Sequence, residues 1–304
     1  MAASAACCQP YPNRPVRIVT AGVGGSSDFV SRVIAQAISG PLGQQVIVDN
    51  RPSGVISGEV VAKSPPDGYI LLVSSNTLWI QAFLRGTAPY DTVRDFAPVS
   101  LTNRQPNLVI VHPSLPVRSV RELIALAKTR PGELNYAAGA IGSADHLAAE
   151  LFKSMARVDM VGIFYKTGAA RMADLVGGHV QLSFSTSGTV MPHVKSGRLR
   201  ALAVTSAEPT PLAPGIPTVA SAGVPGYEAI QILGVFAPGK TPTTLISRLH
   251  QEIVHALNQP EVRERFLNSG VDTVGSSPEQ FAAVIKTDMA KWEKLIKATG
   301  IRAE

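Results

Sequence analysis

Short runs of β-branched residues alternate along the chain with segments of helical periodicity, a pattern typical of an α/β fold with parallel strands. The first run, Val16–Thr20, leads directly into a loop of small residues at positions 21–27. From Asp28 onward, apolar side chains recur at the spacing of one buried helical face, and Gly40-Pro41 predicts the end of this helix. The pattern therefore predicts a strand, a glycine-rich turn and a helix in succession.

The rest of the chain repeats this alternation. Ser119 and Ser277 each precede a Glu or Gln by three residues, as in a capping box, and Thr241-Pro242 marks a further helix start. The last helix is predicted over residues 278–298, which carry an apolar stripe. The further strands are predicted at residues 46–48, 69–73, 108–111, 134–136, 160–164, 180–184, 199–205 and 233–236.

Two segments, around residues 111–116 and 227–233, can carry the chain from one lobe to another and back. We therefore expect lobe 1 to combine residues 11–111 with residues 230–304, and lobe 2 to comprise residues 112–229. Residues 1–10 are interpreted as a leader, which is either the remnant of an export signal or a cloning scar.

Composition and charge exclude several classes of protein. The 304 residues are 45% hydrophobic with a net charge of +6, which excludes disorder, and the glycine and proline content excludes a coiled coil. Lysines and arginines are scattered and aromatic residues make up only 6%, which argues against a nucleic-acid groove. No stretch of about 18 apolar residues predicts a membrane span. The only cysteines, Cys7 and Cys8, exclude an internal disulfide, and we expect neither a metal nor a cofactor.

The loop after the first strand is the strongest local signal for a ligand. A strand that leads through a glycine-rich turn into a helix points free backbone N–H groups and a positive dipole end at one place, which is how phosphates and carboxylates are bound. Gly24 and Gly25 allow a close approach, Ser26 and Ser27 add hydroxyl groups, and Asp28 is expected to cap the helix. The alternative is a glycine turn needed only for chain geometry.

Signatures of catalysis are weak. Gly22 and Gly24, with Asp49 after the second strand, partly match a dinucleotide fingerprint, but Ser27 stands where the third glycine belongs. An NAD(P)-dependent oxidoreductase is therefore kept as an alternative. Neither a nucleophile elbow nor a P-loop occurs, no two histidines are spaced as i and i+4, and His146 is interpreted as structural. We expect the protein not to be an enzyme.

Other small polar loops follow predicted strands, at residues 74–76, 137–145, 165–168 and 185–188. In open α/β sheets, ligands bind beyond the carboxyl ends of the strands, so these loops together predict a cleft between the lobes.

Taken together, these segments resemble a known family. From Tyr11 to Ile301 the chain is similar to the Bug-type (TctC-like) extracytoplasmic solute receptors of tripartite tricarboxylate transporters. The resemblance is carried by segments in the order that the family has them, among them Tyr11-Pro-Asn-Arg-Pro15, Gly24-Gly-Ser-Ser-Asp28, Asp49-Asn-Arg-Pro52, Pro66-Asp-Gly-Tyr69, His112-Pro-Ser-Leu-Pro116, Tyr165-Lys166, Leu175-Val-Gly-Gly178 and Val224-Pro-Gly-Tyr227.

The resemblance implies an α/β fold of the periplasmic-binding-protein type II, in which two α/β lobes close on a ligand in the cleft between them. It implies an exported, periplasmic monomer, with a signal peptide incomplete or absent here, that binds a small organic acid and serves membrane transporter subunits. A sensor that feeds a membrane signalling partner is a further alternative. The ligand-binding residues implied are Val23, Gly24, Gly25, Ser26, Asp28, Ser75 and Asn76 in lobe 1, and Ser143, Tyr165, Thr167, Gly168 and Ser185 in lobe 2.

The chain departs from the family pattern at positions near the ligand. Residues 20–23 read Thr-Ala-Gly-Val where the family has a Pro-Phe-Pro-Pro type of loop. Ser185 stands where an aspartate is common, and Leu233 where a tryptophan is frequent. Because these changes remove a carboxylate and an aromatic wall, the fold is more predictable than the identity of the ligand.

Overall fold

The strands of this chain form one continuous sheet in a computed structural model that describes residues 11–302. The leader predicted at residues 1–10 lies outside the described residues. The strands are β1 (Val16–Thr20), β2 (Val46–Asn50), β3 (Ile70–Ser75), β4 (Phe96–Val111), β5 (Asn135–Ala138), β6 (Val161–Phe164), β7 (Leu182–Thr186), β8 (Arg200–Val204), β9 (Ile230–Pro238) and β10 (Asp272–Thr273). The helices are α1 (Ser26–Leu42), α2 (Gly54–Ala62), α3 (Thr77–Arg85), α4 (Val120–Thr129), α5 (Ala144–Ala156), α6 (Gly168–Val176), α7 (Ser187–Lys195), α8 (Thr243–Leu257), α9 (Pro260–Asn268) and α10 (Pro278–Thr299).

The sheet is mixed, whereas the alternating pattern predicted parallel strands. Its order is β2-β1-β3-β9-β4-β7-β5-β6, with β8 and β10 also paired to β4. The pairs β1–β2, β1–β3, β5–β6 and β5–β7 are parallel, but β4 and β9 are antiparallel to each other and to the strands beside them. One of these two strands carries the chain out of lobe 1 and the other returns it, so they necessarily run in opposite directions.

β4 is much longer than the predicted strand at residues 108–111. Its first part, residues 96–106, pairs with β9, and residues 107–111 pair with β7 and β8. The first part escapes a pattern search because Pro98 and Pro106 argue against a central strand. Two shifts in register, between Pro98 and Ser100 and between Leu101 and Asn103, also break the alternation. The predicted lobe boundary at residue 111 stays a prediction.

The structure corrects three of the predicted helix starts and ends, two in α1 and one in α8. The N-cap of α1 is Gly25, not Asp28, and α1 continues through Pro41 to Leu42. Pro41 has no N–H to bond to the carbonyl four residues earlier, and the helix ends one residue after it. α8 begins after Pro242, which is itself the N-cap. The capping box predicted at Ser277 is confirmed, with both reciprocal hydrogen bonds present.

Helices pack on both faces of the sheet and bury the core. One cluster joins β-strands of both lobes to α2, α3, α5 and α10 through side chains such as Trp79, Phe152 and Trp292. A second cluster packs α1, α8 and α9 against lobe 1, and a third packs α6 and α7 against lobe 2. Among the described residues, no helix combines the length and apolar character needed to cross a membrane.

The capping box of α10 provides a first prediction. Ser277→Ala removes the hydroxyl that accepts from Gln280 N, so the free energy of unfolding is expected to fall by about 1 kcal/mol. Ser277→Asn preserves an N-cap acceptor without placing a second carboxylate beside Glu279, and it should lose much less. Urea unfolding of both variants measures this difference, and equal losses would contradict the capping role.

Candidate functional site

The carboxyl ends of the strands of the two lobes meet near the middle of β4. Ser75, at the end of β3, is in register with Leu233, which in turn pairs with Asn103 of β4. Thr186, at the end of β7, pairs with Asn107 of the same strand. Only four positions of β4 therefore separate the strand ends of lobe 1 from those of lobe 2.

Six helices begin at these strand ends. α1, α2 and α3 follow β1, β2 and β3 in lobe 1, whereas α5, α6 and α7 follow β5, β6 and β7 in lobe 2. A helix N-terminus carries a partial positive charge and unpaired N–H groups, so this arrangement favours an anion between the lobes. The N-cap residues are Gly25, Ser53, Asn76, Ser143, Thr167 and Thr186.

The glycine-rich loop leaves the start of α1 open. Val23 is 77% exposed, Gly24 and Gly25 are exposed, and Ser26 is half-buried. The N-cap of α1 is Gly25, which has no side chain to cap the helix. The first backbone N–H groups of α1 are therefore available to a ligand.

Asp28 holds this loop in place and is not free for a ligand. Its carboxylate is buried and accepts hydrogen bonds from Gly24 N at 2.9 Å and Asn50 Nδ2 at 2.9 Å. It also pairs with Arg32 Nε at 2.9 Å. Burial works against the charged form, but the hydrogen bonds from Gly24, Arg32 and Asn50 outweigh it and keep the pKa of Asp28 below its usual value. We interpret Asp28 as a positioning residue.

The lowered pKa gives a pH-dependent prediction for Asp28→Asn. Because the folded-state pKa lies below the ordinary value of 3.8, the stabilisation by ionised Asp28 is present above pH 4 and is lost as the pH falls through the folded-state pKa. The variant should lose about 1–3 kcal/mol of unfolding free energy at pH 7. Urea unfolding of both proteins from pH 7 to pH 3 should show this difference shrinking only below pH 4. A difference independent of pH would contradict the assignment.

Ser75 and Asn76, the two lobe 1 site residues at the end of β3, have different surroundings. Ser75 Oγ lies 2.8 Å from Thr77 Oγ1, at the start of α3. The Asn76 side chain instead donates to Ile230 O at 3.3 Å and to Asp288 Oδ2 at 3.4 Å. Asn76 is therefore engaged by β9 and α10, and we interpret it as a brace between α3 and the crossing strand.

In lobe 2, Ser143 offers a hydroxyl and Ser185 does not. Ser143 is the N-cap of α5, and its Oγ is buried with no hydrogen-bond partner within the described structure. Ser185 is only 1% exposed, and its Oγ lies 2.9 Å from Ser183 Oγ.

The residues around the start of α6 are more exposed. Tyr165 donates its hydroxyl to Asp174 Oδ2 at 2.8 Å. Burial and this carboxylate raise the pKa of Tyr165 to about 12, so the phenol stays protonated. Thr167 caps α6 through Ala170 N at 3.3 Å, and Gly168 is exposed beside it.

Pattern reasoning did not identify Arg171 and Asp145 as site residues. Asp145, in the first turn of α5, accepts from Gly139 N at 2.8 Å and pairs with Arg171 Nη1 of α6. The sequence gives no signal for this pair, because the two residues are 26 positions apart on different helices. His146, interpreted as structural, is buried, and its Nδ1 accepts from Gly142 N at 2.9 Å. Burial lowers the pKa of His146.

The two lobes touch each other at two places. Gly142 packs so closely on α3 that a Cβ at this position would overlap with Leu84 Cδ1. At the second place, a Cβ on Gly270 would lie 2.7 Å from Gly188 N. The two lobes are therefore in direct contact at both places.

A groove elsewhere on the surface is less suited to an anion. It has a volume of about 590 Å³ between residues 92–98 and α10. Its lining is mostly apolar, and its two charged residues, Lys286 and Glu293, have opposite signs. None of the candidate site residues lines it.

Comparison with known proteins identifies the family. The family model described as "Tripartite tricarboxylate transporter family receptor" matches residues 30–301. Protein BugT of Bordetella pertussis is 36% identical over 297 residues, which cover 96% of this chain and 91% of BugT.

Two solved structures extend the match to three dimensions. R. palustris Rpa4515 with adipate is 37% identical with a TM-score of 0.81, covering 96% of this chain and 99% of that one. MatC from Rhodopseudomonas palustris with bound malate is 26% identical with a TM-score of 0.78, covering 94% and 100%. The two-lobed α/β fold implied by the resemblance is confirmed. The chain belongs to the receptor family of the tripartite tricarboxylate transporters.

Proposed function

We propose that this chain is a periplasmic receptor that captures a small carboxylate between its lobes and presents it to the membrane subunits of a transporter. In this proposal it acts as a monomer and catalyses no reaction. The observation that carries the proposal is that six helices begin just after the carboxyl ends of strands in the two lobes, and that the ends of β3 and β7 lie only four positions of β4 apart. The adipate and malate bound by the two similar proteins support a carboxylate as the ligand.

The charges near the gap fit an anionic ligand. Asp28 and Asp145 are each paired with an arginine, so neither carboxylate opposes an anion with an uncompensated charge. Backbone N–H groups at helix starts bind a carboxylate without a dedicated cation. A ligand that contacts both lobes only when they are closed shifts the population toward the closed state.

The proposed ligand contacts follow from this geometry. In lobe 1, they are the backbone at Val23, Gly24 and Gly25 and the hydroxyl groups of Ser26 and Ser75. In lobe 2, they are Ser143, Tyr165, Thr167 and Gly168, with Ser185 behind them. Asp28 and Asn76 are proposed to hold the site in shape.

The dinucleotide alternative rests only on the partial fingerprint in the sequence. Asp49, which would have to bind a ribose, pairs with Arg51 at 2.7 Å and with Arg17 at 3.5 Å. A sensor would use the same cleft, and it differs from a transport receptor only in its membrane partner.

A thermal-shift screen tests the proposal. Mono-, di- and tricarboxylates, amino acids and aromatic acids are compared with neutral diols of the same length. A ligand at about 100 times its Kd adds about 2.7 kcal/mol of stability, so a carboxylate should raise the Tm by several degrees and its diol should not. Stabilisation by NAD(H) or NADP(H), with none by any carboxylate, would overturn the proposal.

A further inference from the structure

A buried arginine at the edge of lobe 2 is the feature that the proposed contacts leave unexplained. Arg171 lies in the first turn of α6, and its side chain is only 16% exposed. Within the described residues, its guanidinium has one partner, the Oδ2 atom of Asp145, which it contacts through Nη1. A guanidinium carries five N–H donors, so most of its hydrogen-bonding capacity is unused.

One of the unused donors is enclosed by protein. Arg171 Nε is buried and has no hydrogen-bond partner within the described structure. Burial lowers the pKa of Arg171, which reflects the cost of keeping this cation away from water. Because Nε can only donate, the group that would satisfy it is an acceptor, and a charged donor is best matched by an oxyanion.

A second unpartnered group lies in the same cluster. Ser143 Oγ is also buried without a partner. A Cβ on Gly139 would lie 3.5 Å from Ser143 Oγ and 3.6 Å from Asp145 Oδ2, the atom that Arg171 contacts. Since glycine has no side chain there, the Ser143 hydroxyl group and the Asp145 carboxylate border one small space, and the Arg171 guanidinium contacts that carboxylate.

We propose that Arg171 and Ser143 together receive a second oxyanion of the ligand, so that the receptor selects dianions over monoanions. The inference rests on the proposed function and assigns the other carboxylate of the ligand to the open start of α1. Asp145 is a positioning residue here, because it fixes Nη1 of Arg171 and leaves Nε to the ligand. Its negative charge also balances the cation when the ligand is absent.

The preference for a diacid over its monoester follows from Arg171 Nε, a charged donor that a monoanion leaves without an anionic partner. A monomethyl ester replaces one carboxylate by a group that accepts only weakly and carries no charge. Hydrogen bonds to charged groups are the strong ones, so the wild-type protein should bind the diacid about 10- to 100-fold more tightly than the monoester.

The test is calorimetric titration with adipate, malate and their monomethyl esters. Arg171→Met should lose the preference for the diacid, bringing the two affinities within about threefold, mainly because diacid binding weakens. Arg14→Met is the matched control, since it removes an arginine from an exposed pair with Asp67 and should keep the full preference. Arg171→Met leaves Asp145 buried without its cation, so the double variant Arg171→Met with Asp145→Asn is measured beside it. It decides the outcome if the single variant does not fold.

The outcomes separate this inference from the proposed function. If the wild-type protein binds none of these acids and the thermal-shift screen finds no carboxylate, the proposed function fails. If the wild-type protein binds a diacid and the Arg171 variants retain its preference over the monoester, only the present inference fails. A wild-type protein that binds monoesters as tightly as diacids also overturns it.

Discussion

Gly25→Asp is expected to abolish binding of the carboxylate that stabilises the wild-type protein most. The new carboxylate would stand at the N-cap of α1, where the open backbone N–H groups receive the anionic ligand. An aspartate at this position can cap the helix itself and thereby occupy the donors. It also repels the ligand, since like charges in an interface cost several kcal/mol. Calorimetry should show a loss of more than about 100-fold.

The structure has room for a side chain at Gly25. A Cβ on Gly25 has no neighbour closer than Gly22 O at 3.7 Å, and the residue has an extended backbone with φ of −83°. Gly25→Ala is the steric control and should bind nearly as well as the wild-type protein. Gly25→Asn also caps the helix but adds no charge, so it separates competition for the donors from repulsion. Undiminished affinity in Gly25→Asp would show that the start of α1 does not hold the ligand.

Gly270→Ala is expected to weaken binding at least tenfold without touching the ligand. Its Cβ would lie 2.7 Å from the backbone nitrogen of Gly188, across the contact between the lobes. Backbone atoms cannot turn aside as a side chain can, so the lobes must move apart. When only a fraction of molecules can close, the apparent Kd rises by the inverse of that fraction.

Backbone strain alone does not explain this expectation. Gly270 has φ of +73°, so alanine is also strained there. Gly197 has nearly the same φ of +72°, but no atom lies within 4 Å of its Cβ position. Gly197→Ala should therefore lose a similar 1–2 kcal/mol of stability and keep its ligand affinity. Equal affinities for the two variants, measured by calorimetry, would contradict the closing contact.

Local sequence chemistry predicted the parts of the fold that depend on neighbouring residues. The succession of β1, a glycine-rich turn and α1 required only β-branched residues, small residues and a helical period. The capping box at Ser277 needed only the spacing to Gln280. The family resemblance then supplied the two-lobed fold that such local patterns leave open.

The sequence could not predict contacts made over long separations. Asn76 was expected to face the ligand, but it bonds to Asp288, which lies 212 positions away. In the sequence, nothing distinguishes Arg171 from an ordinary surface arginine. Only the folded chain brings it from α6 to Asp145 of α5. The first part of β4 was missed because its pairing with β9 overrides two prolines and two shifts in register.

A crystal structure of the complex tests the location of the site most directly. The protein would be crystallised with the dicarboxylate that gives the largest thermal shift. We expect the ligand between the lobes, with one carboxylate at the start of α1 beside Gly25 and the other beside Ser143 and Arg171. A ligand bound instead in the apolar groove between residues 92–98 and α10, or on one lobe alone, would contradict an interlobe receptor site.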